Sequence, residues 1–173
     1  MKFNASMVQT RCPSPWGDLT LVASPNGLVG AWFQNQRHLP QALTAQLAGH
    51  NALWPEQATH PILEEAVKQL TAYFAGHRSG FELPLDLSAG SPFQQAVWQA
   101  LLSIPRGSTT SYGALSSAIG RPSAVRAVGG AIGRNPLSIV VPCHRVIGSS
   151  GALTGYAGGL DRKIALLQLE GAV

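Results

Sequence analysis

A cysteine, a histidine and an arginine follow one another in the segment SIVVPCHRVIG, with apolar residues on both sides. A thiolate is a strong nucleophile, but a free cysteine, with a pKa of about 8.5, is mostly protonated at neutral pH and needs help to ionise. A purely structural thiol would not need two basic neighbours. The pattern therefore predicts that Cys143 is a nucleophile and that His144 takes its proton.

Chain geometry restricts how His144 could act on its neighbour. Consecutive side chains on an extended backbone point apart, so we expect a bridging water between Cys143 and His144. A histidine base also needs an acceptor on its other ring nitrogen. Residues 90–173 contain only two carboxylates, Asp161 and Glu170. Asp161 is predicted to be the N-cap of the helix RKIALLQLEG, which leaves Glu170, at the end of that helix, as the orienting group.

Charge is distributed unevenly along the chain. Residues 1–89 carry five Lys/Arg and six Asp/Glu, a net charge of 5 − 6 = −1, whereas residues 90–173 carry seven and two, a net charge of 7 − 2 = +5. A basic half of this kind suits a polyanion, most simply nucleic acid. The two cysteines are too far apart in sequence to suggest a disulfide framework, and no apolar run is long enough to span a membrane. These features predict a cytoplasmic protein with no membrane partner.

The first half is predicted to be a small α/β domain, residues 1–88. The strands LTLVA and LVGAWF flank a hairpin turn at Asn26-Gly27, and FELPLDL is predicted to be an edge strand. A helix is predicted from Pro61 to the glycine at position 76, with Ile62, Ala66, Leu70 and Phe74 on its buried face.

The second half, residues 89–173, is predicted to be mostly helical. Ser91 and Gln94 form a capping box at the start of one helix, Ser111 caps a second that runs to Ile119, and Ser123 caps a third, AVRAVGGAIG. Two helices joined by a tight turn make a helix-turn-helix, here winged-helix-like, which points to DNA. The third helix has a surface of alanine and glycine with Arg126 as its one long polar residue before position 134, so it can approach another surface closely.

Several segments together resemble the O⁶-alkylguanine-DNA alkyltransferases, also called methylated-DNA–protein-cysteine methyltransferases. They are SPFQQAVW, SYGALSSAIG, AVRAVGGAIGRNP, IVVPCHRVIG, GYAGG and LLQLEG, all in the second half, whereas the first half resembles the family more weakly. The resemblance implies a single-turnover repair protein without a cofactor. It would flip O⁶-alkylguanine, and also O⁴-alkylthymine, out of duplex DNA and move the alkyl group irreversibly to Cys143. His144 would be the water-linked base and Glu170 the carboxylate that polarises it.

The resemblance also implies how DNA is held. Tyr112 would donate to the base and crowd its phosphate, Arg126 would fill the gap in the base stack, and the bare helix would lie in the minor groove. Asn135 would tie this helix to the cysteine segment. Further contacts are implied for the base pocket or the DNA backbone at Gln94, Gly113, Arg121, Arg145, Val146, Ser149, Tyr156 and Ala157. Some relatives have serine at position 157. If the contact there is made by the backbone N–H, alanine preserves it. We expect a monomer, with cooperation between copies on DNA left open.

No metal is predicted. The zinc of some relatives needs a set of Cys and His ligands, whereas the first half offers Cys12, His38, His50, His60 and His77 at no recognisable spacing. Three alternatives stay open from the residues: a lesion-binding protein of the same fold that transfers nothing, a turnover cysteine hydrolase, and an unrelated DNA-binding protein with a buried cysteine.

Overall fold

The computed structural model describes residues 3, 6–49, 51 and 54–173, so His50 lies outside the described residues. The chain is of mixed α/β class and divides into two compact units, residues 1–89 and 90–173. The N-terminal unit contains β1 (Val8–Cys12), β2 (Leu19–Ser24), β3 (Gly27–Phe33), α1 (Gln41–Leu47) and α2 (Pro61–Phe74). The C-terminal unit contains α3 (Pro92–Leu101), β4 (Thr110–Ser111), α4 (Tyr112–Ala118), α5 (Val125–Gly133), a 3₁₀ turn (Cys143–Arg145), β5 (Val146–Ile147) and α6 (Leu160–Glu170).

The N-terminal unit is built on an antiparallel sheet in the order β1-β2-β3, and the predicted hairpin between β2 and β3 is confirmed. The predicted face of α2 is partly wrong. Ala66 and Leu70 are buried as expected, but Leu63 and Tyr73 complete the buried face, while Ile62 and Phe74 are only half-buried. The face is rotated because the i, i+3 and i, i+4 spacings around Ala66 fit both sets equally well, and packing on the sheet selects one.

The predicted edge strand FELPLDL does not form. Only Leu85 makes a bridge, to Leu28 of β3. The Pro84 carbonyl accepts from the Leu28 N–H at 2.8 Å, and the Asp86 N–H donates to the Leu28 carbonyl at 2.9 Å. A proline has no N–H to extend the ladder, so the pairing ends after one residue.

The helix-turn-helix of the C-terminal unit consists of α4 and α5. The capping box at the start of α3 is confirmed, with the Ser91 hydroxyl accepting from the Gln94 N–H and the Gln94 side chain accepting from the Ser91 N–H. Ser111 caps α4 as predicted. Ser123 is not the cap of α5. A turn closed by the Ala124 N–H on the Arg121 carbonyl at 2.9 Å places Ala124 at the cap position, without a side-chain bond.

The apolar segment before Cys143 is not extended. Residues 137–142 form a series of tight turns, in which the Val141 N–H donates to the Leu137 carbonyl at 2.9 Å and the Cys143 N–H donates to the Val141 carbonyl at 2.8 Å. Ile139, buried and β-branched, has a φ of 73°, a left-handed conformation that such residues rarely adopt. The surrounding packing holds this strained backbone in place and so presents Cys143 on a 3₁₀ turn.

The last helix also begins differently from the prediction. Gly159, with a φ of 96°, is the N-cap of α6, and Asp161 lies in its first turn. Asp161 at this position still interacts favourably with the positive end of the helix. Among the described residues, no helix is long and apolar enough to cross a bilayer.

Candidate active site

Cys143 lies in the interior of the C-terminal unit, where Asn135 holds it. The Asn135 Nδ2 atom donates to the Cys143 Sγ atom at 3.0 Å and to the Val141 carbonyl at 2.8 Å. Its Oδ1 atom accepts from the Leu137 N–H at 3.0 Å. Asn135 follows the end of α5, so one buried amide ties the helix-turn-helix to the thiol and to the turns before it.

Replacement of Asn135 by alanine should therefore destabilise the protein as well as disturb the thiol. The change leaves the buried Leu137 N–H without its acceptor and removes one of the two hydrogen bonds to the Val141 carbonyl, which costs about 1–3 kcal/mol. We expect the free energy of unfolding, measured by urea denaturation, to fall by about this amount. Asn135→Asp is the matched variant, because it keeps the acceptor for Leu137 but loses the donor to the Cys143 sulfur; equal stability of Asn135→Ala and wild type would contradict the assignment.

The Cys143 thiol is not ionised by its surroundings alone. Burial raises the pKa of Cys143 from 9.0 to about 11, against the hydrogen bond from Asn135 and the charge of Lys163, which both lower it. The thiol is only 5% exposed. A nucleophilic attack by such a group needs a base that removes its proton as the new bond forms.

His144 is placed to be that base. Its Nε2 atom lies 3.0 Å from the Glu170 Oε1 atom, and both side chains are fully buried. Burial lowers the pKa of His144, while the hydrogen bond and the charge of Glu170 raise it. Its Nδ1 atom has no hydrogen-bond partner among the protein atoms that the structure describes. Because an ionised carboxylate only accepts, Nε2 carries the hydrogen that it donates to Glu170, and a neutral ring then has its lone pair on Nδ1.

Arg145 is not where the resemblance placed it. The side chain was expected to contact DNA, but it is buried and forms two hydrogen bonds to Glu170, from Nε to Oε2 at 2.8 Å and from Nη2 to Oε1 at 2.7 Å. Its Nη1 atom donates to the Ile104 carbonyl at 2.5 Å. A guanidinium bound in this bidentate manner favours the ionised carboxylate.

Lys163 belongs to the site and was missed from the sequence. Its ammonium is fully buried and donates to the carbonyls of Val146 at 2.5 Å and Thr154 at 2.7 Å. Burial lowers the pKa of Lys163 to about 8, while the charge of Cys143 raises it. A signal for it existed, because Lys163, Leu166, Leu167 and Glu170 are the buried residues of α6 and follow the i, i+3, i+4, i+7 pattern of one helix face.

Tyr112 faces the loop between β5 and α6, whose carbonyls also bind Lys163. Its hydroxyl donates to the carbonyls of Thr154 at 3.2 Å and Gly155 at 3.4 Å, and its ring packs against Gly129 of α5. Burial raises the pKa of Tyr112, so the hydroxyl keeps its proton at neutral pH and can donate it. Tyr156, in the same loop, is buried with its ring edge-on to that of His144 at a centroid distance of 6.5 Å.

The other predicted contact positions differ in accessibility. Arg121, Arg126 and Ser149 are exposed, whereas Gly113, Ala157 and Gln94 are half-buried and Val146 is buried with its carbonyl on Lys163. The Gln94 side-chain oxygen accepts from the Ser91 N–H in the capping box. Among the described residues, no group of three or more His, Cys, Asp or Glu side chains is arranged to hold a metal ion.

Two family models match the chain. The model described as "6-O-methylguanine DNA methyltransferase, DNA binding domain" matches residues 92–172. The model described as "6-O-methylguanine DNA methyltransferase, ribonuclease-like domain" matches residues 7–87.

Curated relatives and solved structures agree with these models. A methylated-DNA–protein-cysteine methyltransferase of Mycobacterium leprae is 61% identical over 106 residues, which are 61% of this chain and 64% of that protein, so the match spans somewhat less than two thirds of the relative. The protein of the same name from Salmonella typhimurium is 42% identical over 95% of this chain and 96% of its own length. The crystal structure of Mycobacterium tuberculosis OGT in complex with DNA is 44% identical, with a TM-score of 0.80, over 96% of this chain and 92% of that one.

Proposed function

The chain belongs to the 6-O-methylguanine DNA methyltransferase family, and from this premise we propose that it repairs DNA by transferring the alkyl group of O⁶-alkylguanine to Cys143, once per molecule. The observation that carries the proposal is the buried thiol with Asn135 on its sulfur and the Glu170–His144 pair in the next residue. Relatives whose names state the activity support it.

The geometry assigns each residue a part in the displacement. The Cys143 sulfur attacks the alkyl carbon, the S–C bond forms, and the C–O⁶ bond breaks with its electron pair passing to the guanine. The thiol proton goes to His144 Nδ1 through a bridging water, and Glu170 stabilises the imidazolium that results. No water or hydroxide attacks the S-alkyl product, so the protein is consumed.

The leaving guanine anion needs hydrogen-bond donors. The Tyr112 hydroxyl and the Lys163 ammonium both donate hydrogen bonds to the carbonyls of Thr154 and Gly155, so the two donors lie close together. Tyr112 can turn its hydroxyl from these carbonyls to the base, where it stabilises the developing charge. Tyr156 forms a further wall of the base pocket.

We place duplex DNA on the helix-turn-helix. Arg121, just before α5, and Arg126, on α5, are both exposed. The small residues of α5 allow a close approach to the minor groove. Arg126 fills the space of the flipped nucleotide, which offsets part of the few kcal/mol that flipping costs.

The protein acts as a monomer in a reducing cytoplasm, where both of its cysteines stay free.

Intact-protein mass spectrometry tests this function directly. After incubation with an oligonucleotide that carries one O⁶-methylguanine, we expect a single added methyl group, mapped to Cys143 by peptide fragmentation. More than one product released per protein would establish a turnover hydrolase instead. An unmodified protein that still binds the oligonucleotide would establish the lesion-binding alternative, which the presence of Cys143 and the names of the relatives do not favour.

Affinity for DNA should fall as salt rises, with little dependence on sequence. About two to four phosphate contacts from exposed arginines predict a loss of roughly ten- to a hundredfold between about 50 and 200 mM salt. No side chain of α5 other than Arg126 is long and polar, so discrimination between undamaged sequences should be small. Fluorescence anisotropy with undamaged duplexes of different sequence measures both effects, and a strong preference for one sequence would contradict this mode of binding.

A further inference from the structure

Glu170 and Arg145 bury opposite charges beside the proposed base. The Glu170 carboxylate is fully buried and accepts three hydrogen bonds, two from Arg145 and one from His144 Nε2. All the nitrogen atoms of the Arg145 guanidinium are used, since Nη1 donates to the Ile104 carbonyl. A buried ion pair is costly unless it is well hydrogen-bonded, and here each of the three guanidinium nitrogens donates to a protein oxygen.

Burial is the largest influence on the pKa of His144 and lowers it, and the charges around the ring then act on the pKa in both directions. The groups that face it are the Glu170 carboxylate, the Arg145 guanidinium, the Lys163 ammonium and the neighbouring Cys143 thiol. Glu170 alone would favour the imidazolium, and an imidazolium has no lone pair on Nδ1. Arg145 opposes this, because its positive charge acts on His144 in the opposite direction from Glu170.

We propose that Arg145 is a positioning residue that neutralises Glu170 and so keeps His144 in its neutral Nε2–H form, with the Nδ1 lone pair available for the thiol proton. Only the expected effect of Arg145 on alkyl transfer rests on the proposed function. The state of the imidazole itself follows from the geometry. It also explains why an arginine directly after His144 is buried instead of facing DNA.

Arg106 supplies a matched comparison. Its Nη2 atom donates to the Leu169 carbonyl at 2.7 Å, so it fastens the end of α6 to the same loop that Arg145 holds through Ile104. This hydrogen bond goes to a backbone carbonyl, whereas those of Arg145 Nε and Nη2 go to the Glu170 carboxylate. Loss of Arg106 removes a hydrogen bond that holds the end of α6. Loss of Arg145 removes hydrogen bonds that hold the same end and also the positive charge next to Glu170.

The experiment is an NMR titration of full-length protein labelled with ¹⁵N-histidine, together with single-turnover methyl transfer as a function of pH. In the wild type, His144 should be the Nε2–H tautomer at neutral pH. In Arg145→Met, the pKa of His144 should rise by at least about one unit, and the acid limb of the pH–rate profile for transfer should move to higher pH by the same amount, so that at a pH on the acid limb of both profiles transfer falls at least about tenfold. In Arg106→Met, the His144 titration should not move.

A double variant tests the charge argument itself. Arg145→Met with Glu170→Gln removes both charges, so the His144 titration should return towards that of the wild type although Arg145 is still missing. An Nδ1–H tautomer in the wild type, an unshifted titration in Arg145→Met, or equal shifts in Arg145→Met and Arg106→Met would each overturn the proposal. The NMR measurement needs no alkyl transfer, so failure of the proposed function would appear separately, as a wild type that acquires no methyl group.

Discussion

Cys143→Ser is expected to abolish methyl transfer and to leave binding of O⁶-methylguanine DNA within a few-fold of the wild type. A serine hydroxyl is far less acidic than a thiol, so the same base cannot make it a useful nucleophile. Serine can still accept the hydrogen bond that Asn135 donates to the sulfur, so the turns around position 143 should keep their shape. Transfer is measured by mass spectrometry and binding by anisotropy on the same oligonucleotide.

The chain provides its own control for this experiment. Cys12 is the other cysteine, buried in the N-terminal unit, where burial raises its pKa to about 11. Cys12→Ala should transfer one methyl group at the wild-type rate. Full transfer by Cys143→Ser, or loss of transfer in Cys12→Ala with the fold intact, would show that Cys143 is not the acceptor.

Arg126→Ala should slow transfer from duplex DNA much more than transfer from a free O⁶-alkylguanine base. Only the duplex reaction requires a nucleotide to leave the stack, which costs a few kcal/mol. If Arg126 offsets about 2 kcal/mol of this cost, its loss slows the duplex reaction by roughly thirtyfold. The reaction with the free base should stay within about twofold, because Arg126 is exposed and the site residues Cys143, His144 and Glu170 are buried.

Arg134→Ala separates this effect from a simple loss of charge. Arg134 is also exposed, at the C-terminal end of α5, and carries the same charge. Its removal should weaken binding by about the contribution of one phosphate contact without slowing transfer at saturating DNA. Equal losses on duplex and free base in Arg126→Ala, or equal effects of the two arginine variants on the saturated duplex rate, would mean that Arg126 does not fill the stack.

The local elements of the C-terminal unit could be predicted because their signals lie within a few residues. The capping box of Ser91 and Gln94 and the cap at Ser111 need only the backbone next to them. The same holds for the hairpin between β2 and β3 in the N-terminal unit. Where two local solutions were nearly equal, as for the buried face of α2, packing chose between them.

The candidate nucleophile and the carboxylate next to His144 could be selected from the sequence because few residues of these types were available. The basic half contains one cysteine and only two carboxylates, so few combinations were possible. The structure brings His144 and Glu170, separated by 26 positions, to a hydrogen-bonding distance of 3.0 Å. The resemblance implied that Asn135 ties the helix to the cysteine segment, and the structure places its amide on the sulfur itself.

The tertiary structure alone decided the environment of these groups. The sequence shows that Arg145 and Lys163 are charged, and charged residues are usually at the surface. The helix-face pattern groups Lys163 with Leu166 and Leu167, but nothing local indicated the burial of Arg145. Each is buried only because partners distant in sequence surround it: Glu170 and Ile104 for Arg145, and the carbonyls of the loop for Lys163. The strained turn at Ile139 likewise exists only because the packed interior holds it. The sequence thus determined which groups could react, and the packing of distant segments determined their charge states.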